Sequence, residues 1–141
     1  MDINKEELDK KIKEFLNVRN TGGDFARENG MIVTKAEGGC AIVEMDVEKR
    51  HLNPIGSIHG GCIFTLADSA SGTAVYSMEG CRSTSIDANI HYLRPGIGKT
   101  HIYAEAHVIK KGKNVVVTEV TVKDQDDNEL AMGIYTNMIL H

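Results

Sequence analysis

A chain of 141 residues is long enough to bury one core and too short for two, and its 41% hydrophobic and 26% charged residues include no run of about eighteen apolar positions to span a bilayer. A net charge of −4 excludes a broad basic face for nucleic acid. The odd set Cys40, Cys62 and Cys81, without a CxxC pair, suggests neither a disulfide framework nor a four-thiolate zinc site, and the opening MDINKEELDKKIKEFL lacks a signal-peptide pattern, so a cytoplasmic protein is expected.

Ile3, Leu8, Ile12, Phe15 and Leu16 recur at helical spacing among charges, which predicts an amphipathic helix over residues 5–17, ended by a loop at Gly22 and Gly23. It belongs to an N-terminal helical extension, residues 1–30, of a single domain spanning 1–141. Residues 31–36 and 40–47 flank Gly38 and Gly39, and the second run alternates Ala41, Val43, Met45 and Val47 with Ile42, Glu44 and Asp46, so a hairpin is predicted. Residues 49–58 hold Pro54 and Gly56 without periodicity and read as a loop.

Residues 59–77 read as the longest helix, with Ile63, Leu66, Ala67, Ala70, Ala74 and Val75 at three and four spacing. Its glycines and hydroxyl residues are poor choices for an exposed helix, which implies close packing on several sides. From residue 82 the period becomes two, in runs over 82–93, 101–110, 114–124 and 129–140 separated by turn residues, and short connections favour an antiparallel meander. The sum is an α+β fold in which about six curved strands wrap one helix. Such a fold leaves a sheet edge and part of the helix uncovered, which predicts self-association.

The most informative stretch is HLNPIGSIHGGCIFTLAD, residues 51–68: a loop, a His-Gly-Gly entry into a helix, and a carboxylate two turns inside. Amides at Gly60 and Gly61 lie at the positive end of the helix dipole, a good place for a carbonyl oxygen gaining charge. The same glycines also suit a sharp entry with close packing. Asp68 shares a face with Gly61, Thr65 and Gly72, where something could lie against it; a solvated surface acid is the alternative. Gly60 and Asp68 are eight residues apart, about 12 Å of rise on a straight helix, so one carbonyl cannot touch both. If both serve one reacting centre, the second comes from another subunit across a two-fold axis.

Asn53, Gly56, His59-Gly60-Gly61 and Leu66-Ala67-Asp68, with the later strand Ser85-Ile86-Asp87-Ala88-Asn89-Ile90-His91-Tyr92-Leu93-Arg94-Pro95, resemble the signature of hotdog-fold thioesterases of the phenylacetate-degradation type. The resemblance covers about residues 31–140. It implies acyl-CoA hydrolysis without a metal or separate cofactor, by a homodimer that pairs into a homotetramer. Carried over by position, the Gly60 N–H polarises the thioester carbonyl and Asp68 of the opposing subunit is nucleophile or general base. Asn53 and His59 orient the carbonyl, the loop or the water, and Ser85 helps place the water, with Thr84 and Ser83 as neighbours in register. His51, His59 and Cys62 offer no fourth ligand for zinc. Tyr92, Arg94 and Pro95, and Lys110, Gly112, Lys113 and Asn114, match the family's nucleotide-contacting regions, where cations at strand ends could hold phosphates. A hotdog hydratase or dehydratase on acyl thioesters, or a non-catalytic acyl-CoA-binding protein, are the competing readings. Neither nucleic acid nor membrane is an expected partner.

Overall fold

The computed structural model describes residues 2–141. In chain order it comprises α1 (Lys5–Thr21), α2 (Phe25–Glu28), β1 (Ile32–Glu37), β2 (Cys40–Asp46), a single 3₁₀ turn (Lys49–His51), α3 (Gly60–Glu79), β3 (Ser83–Tyr92), β4 (His101–Lys111), β5 (Val115–Asp124) and β6 (Glu129–Ile139). All strand pairs are antiparallel, in one sheet of order β1-β2-β4-β5-β6-β3.

Three departures from the sequence reading have physical causes. α1 runs a full turn beyond residue 17, because Thr21 and Asn20 find local partners: Thr21 Oγ1 donates to the Asn17 carbonyl, and Asn20 bonds both backbone groups of Val33. α2 occupies part of the expected loop, capped by the Asp24 carboxylate accepting from Arg27 N–H at 3.0 Å; four residues are too few for periodicity to show. The four-strand meander is corrected: only β4, β5 and β6 follow it, while β3 lies at the sheet edge beside β6, away from β4. The segment 93–100 crosses three strand spacings, about 14 Å, a reach that eight residues cover with ease.

α3 lies against the sheet with Ile63, Leu66, Ala67, Ala70 and Ala74 facing β2, β4 and β5, and Leu66 and Ala70 are fully buried. The alternating strand residues Ala41, Val43 and Met45 of β2, Ala104 and Ala106 of β4, and Val120 and Val122 of β5 complete this core. The helix stops at Gly80, whose φ of 70° is the left-handed position that lets its N–H return to the Tyr76 carbonyl. Ser71, Thr73 and Ser77 of α3 are buried besides its apolar residues, so the small residues do pack on more than one side, while a Cβ added at Gly72 meets nothing within 4 Å beyond the helix's own backbone.

Asp124 is fully buried at the β5–β6 turn. Burial alone would raise its carboxyl pKa, but the Lys99 ammonium at 2.8 Å and the N–H groups of Asn128 and Asp126 outweigh it and hold the pKa at about 2. A carboxyl depressed by folding stabilises the fold above its unfolded pKa and loses that contribution as pH falls through the folded value. Asp124→Ala removes the acceptor of those turn N–H groups and the partner of Lys99, and is expected to cost about 1–3 kcal/mol at neutral pH. Denaturant titrations should show the gap to wild type closing from about pH 4 downward.

Candidate active site

The entry to α3 is built by the loop before it. His51 is buried, its Nδ1 accepting from Glu48 N–H at 2.9 Å, which leaves Nε2 to donate to the Asn29 carbonyl at 2.9 Å. Its own carbonyl accepts from His59 N–H at 2.8 Å, so His51 ties the loop to the helix start. Asn53 shapes the turn that follows: its Oδ1 accepts from the N–H groups of Ile55 and Ser57, and Gly56 takes the positive φ of 82° that closes it. Ser57 and Ile58 are clipped in turn to Gly96.

His59 is the N-cap of α3, its Nδ1 accepting from Gly61 N–H at 2.8 Å. Gly60 is therefore the first helical residue, and its N–H has no acceptor within the helix. Tyr92 lies over it, donating its hydroxyl to the Gly60 carbonyl at 2.8 Å. Two turns on, half-buried Asp68 accepts from Ser85 Oγ at 2.6 Å. It is Ser85, rather than Thr84 or Ser83, that reaches it, just ahead of a bulge between Ser85 and Asp87 in β3. Tyr135 is buried nearby, donating to the Phe64 carbonyl at 3.1 Å; burial first, then the charge of Asp68, pushes its phenol pKa up, so it stays protonated.

Asp68 and Ser85 open onto a cavity of about 480 Å³ between α3, the start of β3 and the α1–α2 extension. Tyr76, stacked on Phe15 with centroids 4.1 Å apart, forms one wall, and Phe25 of α2, 71% exposed, borders the mouth. Cys62 takes no part: its Sγ lies 3.7 Å from Met45 Sδ, and burial, partly offset by Arg50, raises the thiol pKa to about 11. Among the described residues no three His, Cys, Asp or Glu side chains gather in a way that could hold a metal ion. Among the same residues no helix is long and apolar enough to cross a membrane.

The thioesterase superfamily model matches residues 55–131, more than half of the chain, and takes in Gly60, Asp68 and Ser85. The chain belongs to that superfamily. Human acyl-coenzyme A thioesterase 13 is 35% identical over 128 residues, 89% of this chain and 91% of its own. The solved Escherichia coli PaaI protein, from the phenylacetic acid degradation operon, matches with a TM-score of 0.86 at 27% identity, over 95% of this chain and 96% of its own. A Streptococcus mutans protein bound to acetyl-CoA matches at 0.76 and 29% identity, over 85% and 94%. The shared architecture, six antiparallel strands around one long helix, is the hotdog fold, and the protein is a thioester hydrolase.

Within this thioesterase chain, Gly60 and Asp68 sit on the same helix at the eight-residue separation read from the sequence. The two expected nucleotide segments also stay apart. Tyr92, Arg94 and Pro95 adjoin the N-terminal end of α3, Arg94 reaching Asn128 at 3.4 Å. Lys110 lies at the end of β4 and Gly112, Lys113 and Asn114 form the β4–β5 turn, which the Lys111–Glu79 ion pair at 2.8 Å fixes to the far end of α3. Nineteen helical steps, about 28 Å, separate these ends.

Sequence reasoning missed the polar residues behind Asp68. Asn137, Ser71 and Thr118 are all buried, and each occupies an inward phase of its strand or helix among apolar neighbours. That misplacement of a polar side chain was the available signal.

Proposed function

We propose that the protein hydrolyses acyl-CoA thioesters to a carboxylic acid and free CoA. Asp68 acts as general base or nucleophile, and the Gly60 N–H of the opposing subunit is the oxyanion donor. Thiolate is a good leaving group, so one carboxylate and a polarising amide suffice without a strong acid at sulfur. His59 and Asn53 hold the loop that presents Gly60, and Ser85 positions Asp68 and its water.

One observation carries this reading: β3 contacts both groups, Asp68 through Ser85 and Gly60 through Tyr92, and it is an edge strand. Ten residues long, without lysine or proline and with Ile86 exposed, β3 is the kind of edge that pairs. Antiparallel pairing with its two-fold copy, about a dyad between Ser85 and Tyr92, swaps those positions and sets the partner's Gly60 beside Asp68. The same rotation brings the Tyr92–Pro95 end of one subunit toward the 110–114 turn of the other, where both can share one CoA phosphate group. Two identical sites per dimer follow, in a single 1–141 domain unit in which Phe15, Arg19 and Phe25 of the N-terminal extension border the acyl cavity; pairing of dimers into a tetramer and a cytoplasmic location complete the proposal.

A thiol-release screen over acyl-CoAs of graded length and shape tests it, with turnover expected for at least one chain class. Crotonyl-CoA run in parallel separates the alternative: loss of its double bond without thiol release would make the protein a hydratase. Tight acyl-CoA binding with neither reaction would make it a binding protein.

A further inference from the structure

Behind Asp68 a line of buried hydroxyl and amide groups runs into the core. Thr118 Oγ1 donates to the Tyr135 carbonyl at 3.3 Å, so at 2.7 Å from Ser71 Oγ it accepts the Ser71 proton. Ser71 Oγ, its proton spent, accepts from Asn137 Nδ2 at 2.8 Å. This order fixes the amide: Asn137 Oδ1 faces Ser85, its direct cross-strand partner, at 3.4 Å. Ser71 and Thr118 are completely buried and Asn137 is 1% exposed, so water does not compete for these bonds.

Ser85 thus has one proton and two acceptors, Asp68 at 2.6 Å and Asn137 at 3.4 Å. We infer that Asn137, oriented by Ser71 and Thr118, is a positioning residue that receives the Ser85 O–H when Asp68 is protonated at Oδ1, the oxygen Ser85 bonds. The inference rests on Asp68 acting as general base. While Asp68 is a carboxylate, Ser85 donates to it. When Asp68 Oδ1 has taken a proton from the attacking water, its new O–H donates to Ser85 Oγ, and the Ser85 O–H rotates onto Asn137 Oδ1. Ser85 keeps its own proton throughout, and Asp68 returns the transferred one to the departing thiolate or to solvent. Without Asn137, a proton on Asp68 Oδ1 leaves the Ser85 hydroxyl with no acceptor, at a cost felt in the chemical step rather than in substrate binding.

A double-mutant cycle on thiol release tests this. Asn137→Leu should lower kcat by about tenfold, part of the 10²–10⁴ that general-base help supplies, with KM within about twofold. In a Ser85→Ala background the same substitution should cost less than about twofold, because the rotor it serves is gone. Ser71→Ala, a one-atom deletion, gives the same cycle should Asn137→Leu fold poorly, and Thr118→Ser should recover most of the rate lost in Thr118→Val. Equal losses in both backgrounds, or a rise in KM at constant kcat, would overturn the positioning role while leaving the thioesterase reading intact. A wild-type protein that releases no thiol overturns both.

Discussion

Asp68→Asn is expected to keep the fold and the proposed dimer and to lose about 10²- to 10⁴-fold in kcat, the range that a positioned base supplies. The amide matches the carboxylate in size, and its oxygen can still accept the Ser85 proton that Asp68 accepts at 2.6 Å, so packing around α3 has no reason to change. What disappears is basicity and nucleophilicity at that oxygen. Because Asp68 borders the cavity without lining the expected nucleotide segments, KM for the CoA portion should hold while kcat and kcat/KM fall together. Circular dichroism and gel filtration alongside the thiol assay separate this from unfolding. Turnover close to wild type would remove Asp68 from the mechanism.

The second large loss is expected from Gly60→Pro, which deletes the proposed oxyanion donor and should cost about 10²- to 10³-fold. Few backbone amides can be removed so cleanly. Gly60 is the first residue of α3, where proline is tolerated, and His59 before it has φ −58° and ψ 133°, the extended conformation that a following proline prefers. Gly60→Ala is the control: it adds the same Cβ, 3.2 Å from the exposed Tyr92 ring, yet keeps the N–H, so it should lose only a few-fold. Mixing the two defective proteins then probes the shared site. Random exchange makes about half the dimers mixed, and one of their two sites has both groups intact, so about a quarter of wild-type activity should return. A site contained within one chain would recover nothing.

The parts of this molecule visible in its sequence are those whose signal is local. Ile63, Leu66, Ala67, Ala70 and Ala74 repeat at helical spacing because one face of α3 meets the sheet, and Gly80 ends it by its backbone freedom. The strands alternate because one side of each faces that helix. Alternation reports faces and says nothing about neighbours, which is why β3 was expected beside β4 and lies beside β6. Likewise Asp68 and the His-Gly-Gly entry stand out within one stretch. Asn137 is tied to Ser85, 52 residues away, and to Ser71, 66 residues away, by contacts that only the folded sheet creates.

That edge position of β3 bears on how the protein comes into being. β3 has no sheet partner except β6, the last strand, so every other element can be in place while Ser85 still waits for Asn137. During synthesis Ser85 and Asn137 therefore meet only after β6 has been made, later than the scaffold of β1, β2, β4 and β5 can form.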